Sequence, residues 1–96
     1  MGRRPVIVVS HDGFNRSPGW RSVIVVPVST SAVQARRGPT AVYLPGGTGG
    51  LERDSIALCH QVTTLDRAKL TRRLGTLPEN LAGEVNDGLK AALDLE

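Results

Sequence analysis

Aromatic residues are nearly absent from this 96-residue chain, which holds one Phe, one Trp and one Tyr. A packed interior must therefore come from branched aliphatic side chains. Cysteine is just as scarce: Cys59 is alone, so no internal disulfide can form, and its place in the apolar run IALCHQV predicts a buried, inert thiol. No window approaches the roughly 18 consecutive apolar residues of a membrane-spanning helix, and no basic-then-apolar leader opens the chain, so a cytoplasmic protein is expected. Chemistry-bearing motifs are few. With only His11 and His60, the chain shows no Cys/His cluster at zinc spacing, no HExxH, no paired acidic motif for two magnesium ions and no GxSxG elbow. Any catalysis is expected to proceed without metal or cofactor.

Basic residues are what the chain has in excess. The formal charge of +3 divides unevenly, because the first 78 residues carry 11 basic and four acidic side chains, a balance of +7. The remaining segment holds Glu79, Glu84, Asp87, Asp94 and Glu96 against Lys90, a balance of −4. Ten of the 12 basic residues are Arg, whose planar fork suits bidentate contacts to phosphate. Composition alone gives nucleic acid a modest lead as partner.

Hydrophobic patterning predicts a strand-rich chain that ends in a helix. Residues 5–10 and 22–28 are Val/Ile runs bounded by turn residues, as in strands buried on both faces. Between them DGFNRSPGWR combines Asp-Gly, Asn and Ser-Pro, which predicts an exposed loop carrying Phe14, Trp20 and two arginines. Such aromatics stack bases of single-stranded RNA in some proteins and plug the end of a small barrel in others. Residues 41–44 make a third strand, followed by PGGTGG, a Gly-rich turn without the Gly-Lys-Ser/Thr ending of a phosphate-binding P-loop. A fourth strand is expected over 55–63, a single turn over 66–70 begun by Asp66, and a fifth strand over 71–77 with Leu74 facing inward. Asp12 and Asp54 fit turn and capping positions. From Pro78 onward Leu81, Val85, Leu89, Ala92 and Leu93 recur at helical spacing, with Glu79 at the positive end of the helix. Gly83 and Gly88 each cost this helix about 1 kcal/mol relative to Ala, so it depends on tertiary contacts.

The opening RRPVIVVSHDGFN places Arg4 at the mouth of a buried strand. This segment resembles the MazF/PemK family of toxin endoribonucleases, which carry an Arg-Pro, an apolar strand and an Asp-containing loop ending in Asn. VIVVPVSTS, RRGPTAVYLP, GGLERDSIALCHQVTTLDRAKLTRRLGTL and the terminal helix match the family pattern in the same order, so the resemblance covers nearly the whole chain as one domain, residues 1–96. It departs at the start: family members usually open with a further strand and loop, and this chain begins just past the matching point. The resemblance implies a mainly β fold with a C-terminal helix, an SH3-like barrel of the type shared with CcdB.

It also implies a function. Members of this family are toxins of toxin–antitoxin pairs that cleave single-stranded RNA without metal, leaving a 2′,3′-cyclic phosphate and a 5′-hydroxyl. Arg4 matches the family's catalytic Arg, and Ser29 matches a catalytic hydroxyl residue that is usually Thr. Further matches place Arg3, Ser31, Pro39, Thr40, His60 and Gln61 around the RNA groove; His60 stands where the family often has a carboxylate. A homodimer and an acidic antitoxin are the implied partners. Two other readings are weighed: a binding-only or truncated member that retains antitoxin association, and a gyrase poison like CcdB, whose C-terminal Trp this chain lacks.

Overall fold

In the computed structural model, which describes residues 4–31 and 38–95, the chain folds as a five-stranded antiparallel sheet backed by one long helix. The strands are β1 (Val6–Val8), β2 (Ser22–Ser29), β3 (Ala41–Leu44), β4 (Ser55–Leu58) and β5 (Thr63–Asp66). A short helix α1 (Asp12–Arg16) lies between β1 and β2, and α2 (Glu79–Leu93) closes the chain. Strand order is β1-β2-β4-β3, with β5 also on β2. The mainly β fold with a C-terminal helix expected from sequence is what forms; among the described residues β1 and β3 each pair with a single neighbour, so the sheet is not closed.

β2 organises the sheet because its eight residues exceed the length of every partner. One edge takes β1, with Ile7 opposite Val26. Elsewhere it pairs first with β5 and then with β4. Those two strands follow one another in sequence, yet Val28 faces Ala57 whereas Val25 faces Thr63, a jump of three residues in register. The 3-10 turn Cys59–Gln61 supplies those three residues. The strand predicted over 55–63 is therefore interrupted by a bulge and continues to Asp66. The strand predicted over 71–77 does not form, and Leu74 is 41% exposed. This segment instead lies against the Gly-rich turn, where a Cβ added to Gly50 would clash with the Leu74 carbonyl oxygen and one added to Gly75 would sit 2.8 Å from that of Gly49.

Alternation assigns the faces. Val26 and Val28 of β2, Val42 and Leu44 of β3, and Ala57 of β4 join Leu51, Cys59, Leu81 and Val85 in the core under α2. Val23, Val25, Ile56 and Leu58 are buried outside that cluster. α2 begins one residue later than its proline, with Pro78 as the N-cap, and buries Leu81, Val85 and Gly88 while Leu93 remains exposed. The expected burial of Cys59 holds: its side chain has no exposure, its Sγ lies 3.7 Å from the Val85 carbonyl oxygen, and burial pushes the thiol pKa up.

The two helix glycines thus have opposite roles. A Cβ on Gly88 would fall 2.7 Å from Cys59 Sγ and 3.0 Å from Val42 Cγ2, whereas one on Gly83 would meet nothing within 4 Å. Gly88→Ala is expected to destabilise the protein, because overpacking costs about 1–3 kcal/mol and outweighs the gain in helix propensity. Gly83→Ala should stabilise it by about 0.5–1 kcal/mol. Urea denaturation of both variants checks the sign of each change.

Candidate active site at the end of the central strand

The β1/β2 register carries the site. Val6 faces Pro27, and the Val28 amide donates to the Pro5 carbonyl at 3.2 Å, so pairing continues past the strand proper. One further step sets Arg4 opposite Ser29. These residues are far apart in sequence, and the antiparallel ladder places directly opposed Cβ atoms at about 4.5–5.5 Å. Ser29 in turn faces Ile56 of β4, which faces Tyr43 of β3. Alternation turns this row away from Val28, Ala57 and Val42, and hence away from the face that α2 covers. Arg4 is exposed and Ser29 is half-buried.

Ser29 has a defined local partner. Its Oγ accepts the Ser31 backbone N–H at 3.1 Å, a turn that closes the end of β2, and among the described residues the hydroxyl proton has no acceptor. Ser31 is exposed beside it. A guanidinium and a hydroxyl donor side by side at an open strand end can bind an anion. The row that starts with Arg4 and Ser29 ends at Tyr43, which lines a groove with Glu84 and Asp87 of α2.

The other predicted residues are more dispersed. Arg3 lies outside the described residues. Pro39 and Thr40 lead into β3; Thr40 is half-buried, and Pro39 borders a groove of about 470 Å³ that also includes Tyr43, Glu84 and Asp87. Two carboxylates there disfavour a phosphate in the groove itself. His60 and Gln61 occupy the bulge after β4, beyond Leu58, whereas Ser29 pairs with Ile56 near the strand's opposite end. Gln61 is exposed, while both ring nitrogens of His60 are buried without a hydrogen-bond partner among the described residues. Of the eight residues, the ladder brings together Arg4, Ser29 and Ser31. No three His, Cys, Asp or Glu side chains converge among the described residues.

A second cationic cluster occupies the opposite end of β2. Phe14 and Trp20 stack with centroids 4.4 Å apart and planes 9° from parallel, and both are nearly half exposed. Trp20 therefore does not plug the sheet. The loop predicted there contains α1, started by His11, whose Nδ1 accepts the Gly13 N–H at 2.9 Å. Asn15 ties it down, accepting from Ser10 Oγ at 2.6 Å and donating to the Ser10 carbonyl at 2.9 Å. Arg67, which composition alone did not single out, donates from Nη2 to the Phe14 carbonyl at 3.0 Å. Asp66 caps the turn Arg67–Lys69 by accepting the Ala68 N–H at 2.9 Å, as expected, and lies 3.6 Å from Arg21.

That amide bond, followed by the charges of Arg21 and Lys69, holds the Asp66 carboxyl below its usual pKa. A depressed carboxylate contributes stability that is complete above the unfolded value near 4 and disappears as pH falls through the lower folded value. Asp66→Asn should therefore flatten the fall of stability below about pH 4. Melting temperatures of both proteins across that range test it.

The family profile described as PemK-like, MazF-like toxin of type II toxin–antitoxin system matches residues 1–93. Endoribonuclease MazF6 of Mycobacterium tuberculosis is 39% identical over 93 residues, covering 97% of this chain and 80% of the relative. Endoribonuclease EndoA of Bacillus subtilis is 32% identical over 94 residues, covering 98% and 78%. Among solved structures, the Mycobacterium tuberculosis toxin MazF-mt6 superposes with a TM-score of 0.82 at 25% identity, covering 97% of this chain and 88% of that one. A MazE-MazF structure from Deinococcus radiodurans gives 0.76 at 27% identity, covering 99% and 85%.

Proposed function

We propose a function from one premise: this chain belongs to the PemK-like, MazF-like toxin family of type II toxin–antitoxin systems. It is an endoribonuclease toxin whose domain spans residues 1–96 and whose substrate is single-stranded RNA, mRNA included. The observation that supports the reading is the β1/β2 register, which, continued one step past the Pro5–Val28 bond, sets Arg4 opposite Ser29 on the side of the sheet away from Val28.

The chemistry follows from the substrate. RNA brings its own nucleophile, so the protein has to align the 2′-hydroxyl with phosphorus and the departing 5′ oxygen. As the P–O2′ bond forms and the P–O5′ bond breaks, the 2′-hydroxyl gives its proton to solvent water and negative charge builds on the non-bridging oxygens. Arg4 lies over that charge with its fork, passes a proton to the leaving 5′ oxygen and regains one from solvent, so that it remains charged. Ser29 donates its hydroxyl proton to a non-bridging oxygen. Donors aimed at developing charge supply about 2.7–4 kcal/mol each. The products are a 2′,3′-cyclic phosphate and a 5′-hydroxyl, and no step calls for a metal or cofactor. Arg3, Ser31, Pro39, Thr40, His60 and Gln61 serve to hold the RNA on either side of the scissile bond.

The functional unit in this reading is a cytoplasmic homodimer, restrained by an acidic antitoxin that lies over the same cationic face. No helix among the described residues is long and apolar enough to cross a membrane. Incubation with mixed RNA in EDTA, followed by mapping of new 5′-hydroxyl ends, tests the activity; ends that require added magnesium overturn the metal-free mechanism. Light scattering tests the dimer, and a stable complex of toxin, antitoxin and uncut RNA at the same sites would overturn the shared face.

A further inference from the structure

We infer that the Phe14–Trp20 stack and the arginines beside it form a second RNA subsite, which holds a base and its phosphate several nucleotides from the scissile bond. The inference rests on the endoribonuclease reading for the identity of the strand, but its geometry is independent of Arg4 and Ser29. Those residues lie at one end of β2 and Arg21 precedes the other end, about 23 Å away at the rise of an extended strand.

The cluster has the parts of a single-strand platform. Phe14 covers one face of the Trp20 ring, while Trp20 is 45% exposed and lines a cleft. A ring already held parallel to another loses little freedom when a base adds to the stack, and every base has a π-face to offer. Beside it, Pro18, Trp20, Arg21, Arg67 and Ala68 enclose a shallow cleft of about 210 Å³. Sites that engulf a drug-sized molecule measure about 300–1,000 Å³, so this one suits a flat group laid on the ring.

Charge supplies the second contact. The Arg21 side chain is 75% exposed and meets Asp66 only at 3.6 Å, so most of its fork faces water. Arg67 is fixed by its bond to the Phe14 carbonyl; its Nε is buried, without a partner among the described residues, which leaves the rest of the guanidinium to line the cleft. Two guanidiniums against one carboxylate leave the cleft cationic, as a phosphate next to a stacked base requires. An acidic peptide would satisfy the arginines but leave the paired rings unused.

Trp20 is the sole tryptophan, so its fluorescence reports the subsite directly. The probe is a short single-stranded oligonucleotide with 2′-deoxyribose throughout, which lacks the nucleophile and cannot be cut. Saturable quenching is expected, with a midpoint that rises with salt and that survives in Arg4→Ala. Arg21→Gln should raise the midpoint. By anisotropy of the labelled oligonucleotide, Trp20→Ala should bind about five- to 150-fold more weakly and Trp20→Phe should recover most of the loss. Quenching by a protein that does not cleave RNA would support the subsite while removing the nuclease reading. Bound oligonucleotide without quenching, equal affinity of Trp20→Ala and parent, or quenching by poly-glutamate alone would each overturn the subsite and leave the cleavage site untouched.

Discussion

Arg4→Ala is expected to abolish RNA cleavage while leaving the melting temperature nearly unchanged. Arg4 is exposed ahead of the first residue of β1, outside the core under α2, so its truncation falls in the class of surface changes that alter stability by about 0.5 kcal/mol or less. Its proposed part in the reaction is large, because it faces both the charge on phosphorus and the departing oxygen. Lysine restores charge at the same place but presents a point ammonium instead of a planar fork, and it should rescue poorly. Single-turnover cleavage of a defined RNA, run beside thermal melts, separates the two effects. A variant that cleaves at the parental rate would move the site elsewhere; one that cleaves slowly and also melts early would mark Arg4 as structural.

The row that unites Arg4 with Ser29 shows what a sequence reading reaches. The Val/Ile runs of β1 and β2 were legible as strands because an unbroken apolar run has few other uses, but burial on both faces does not hold: Val8 and Ile24 are 41% and 40% exposed. The helix was legible too, since Leu81 and Val85 repeat at its period. That Arg4 stands against Ser29 follows from register alone, and register emerges from pairing across the whole sheet. Resemblance to a family named both residues; the ladder supplies the physical reason they belong together.

The misread segments share a cause. Nothing in Cys59-His60-Gln61 marks a break, for the run contains no Gly or Pro; it bulges because Cys59 is drawn under α2 while β5 must still meet Val25. Residues 71–77 suggest a strand with Leu74 turned inward, yet they form none, and Leu74, packed by its backbone against Gly50, is 41% exposed. The Asp-Gly and Asn near α1 signalled a turn correctly, but not the mutual bonds of Ser10 and Asn15 that fix it. Arg67 was not legible as part of any site, because only the pairing of β5 with β2 brings it beneath Phe14. Each case is a tertiary contact overriding a local pattern.

Ser29→Ala is the second large expectation, a slowing of cleavage that corresponds to about 2.7–4 kcal/mol if the hydroxyl acts as an oxyanion-type donor. The residue has two duties that one substitution removes together. Its Oγ accepts the Ser31 N–H, which shapes the chain leaving β2, and its proton, without an acceptor among the described residues, can go to the phosphate. Loss of the first duty alone would cost only a modest amount, since Ser31 is exposed and water replaces the acceptor. Threonine keeps both duties and stiffens χ1, so Ser29→Thr should equal or exceed the parent. Comparing rate constants at saturating RNA with melting temperatures distinguishes the roles: a fall in rate without a fall in melting temperature assigns the hydroxyl to the transition state. Parallel losses in both, with Thr failing to restore the rate, would confine Ser29 to closing the strand.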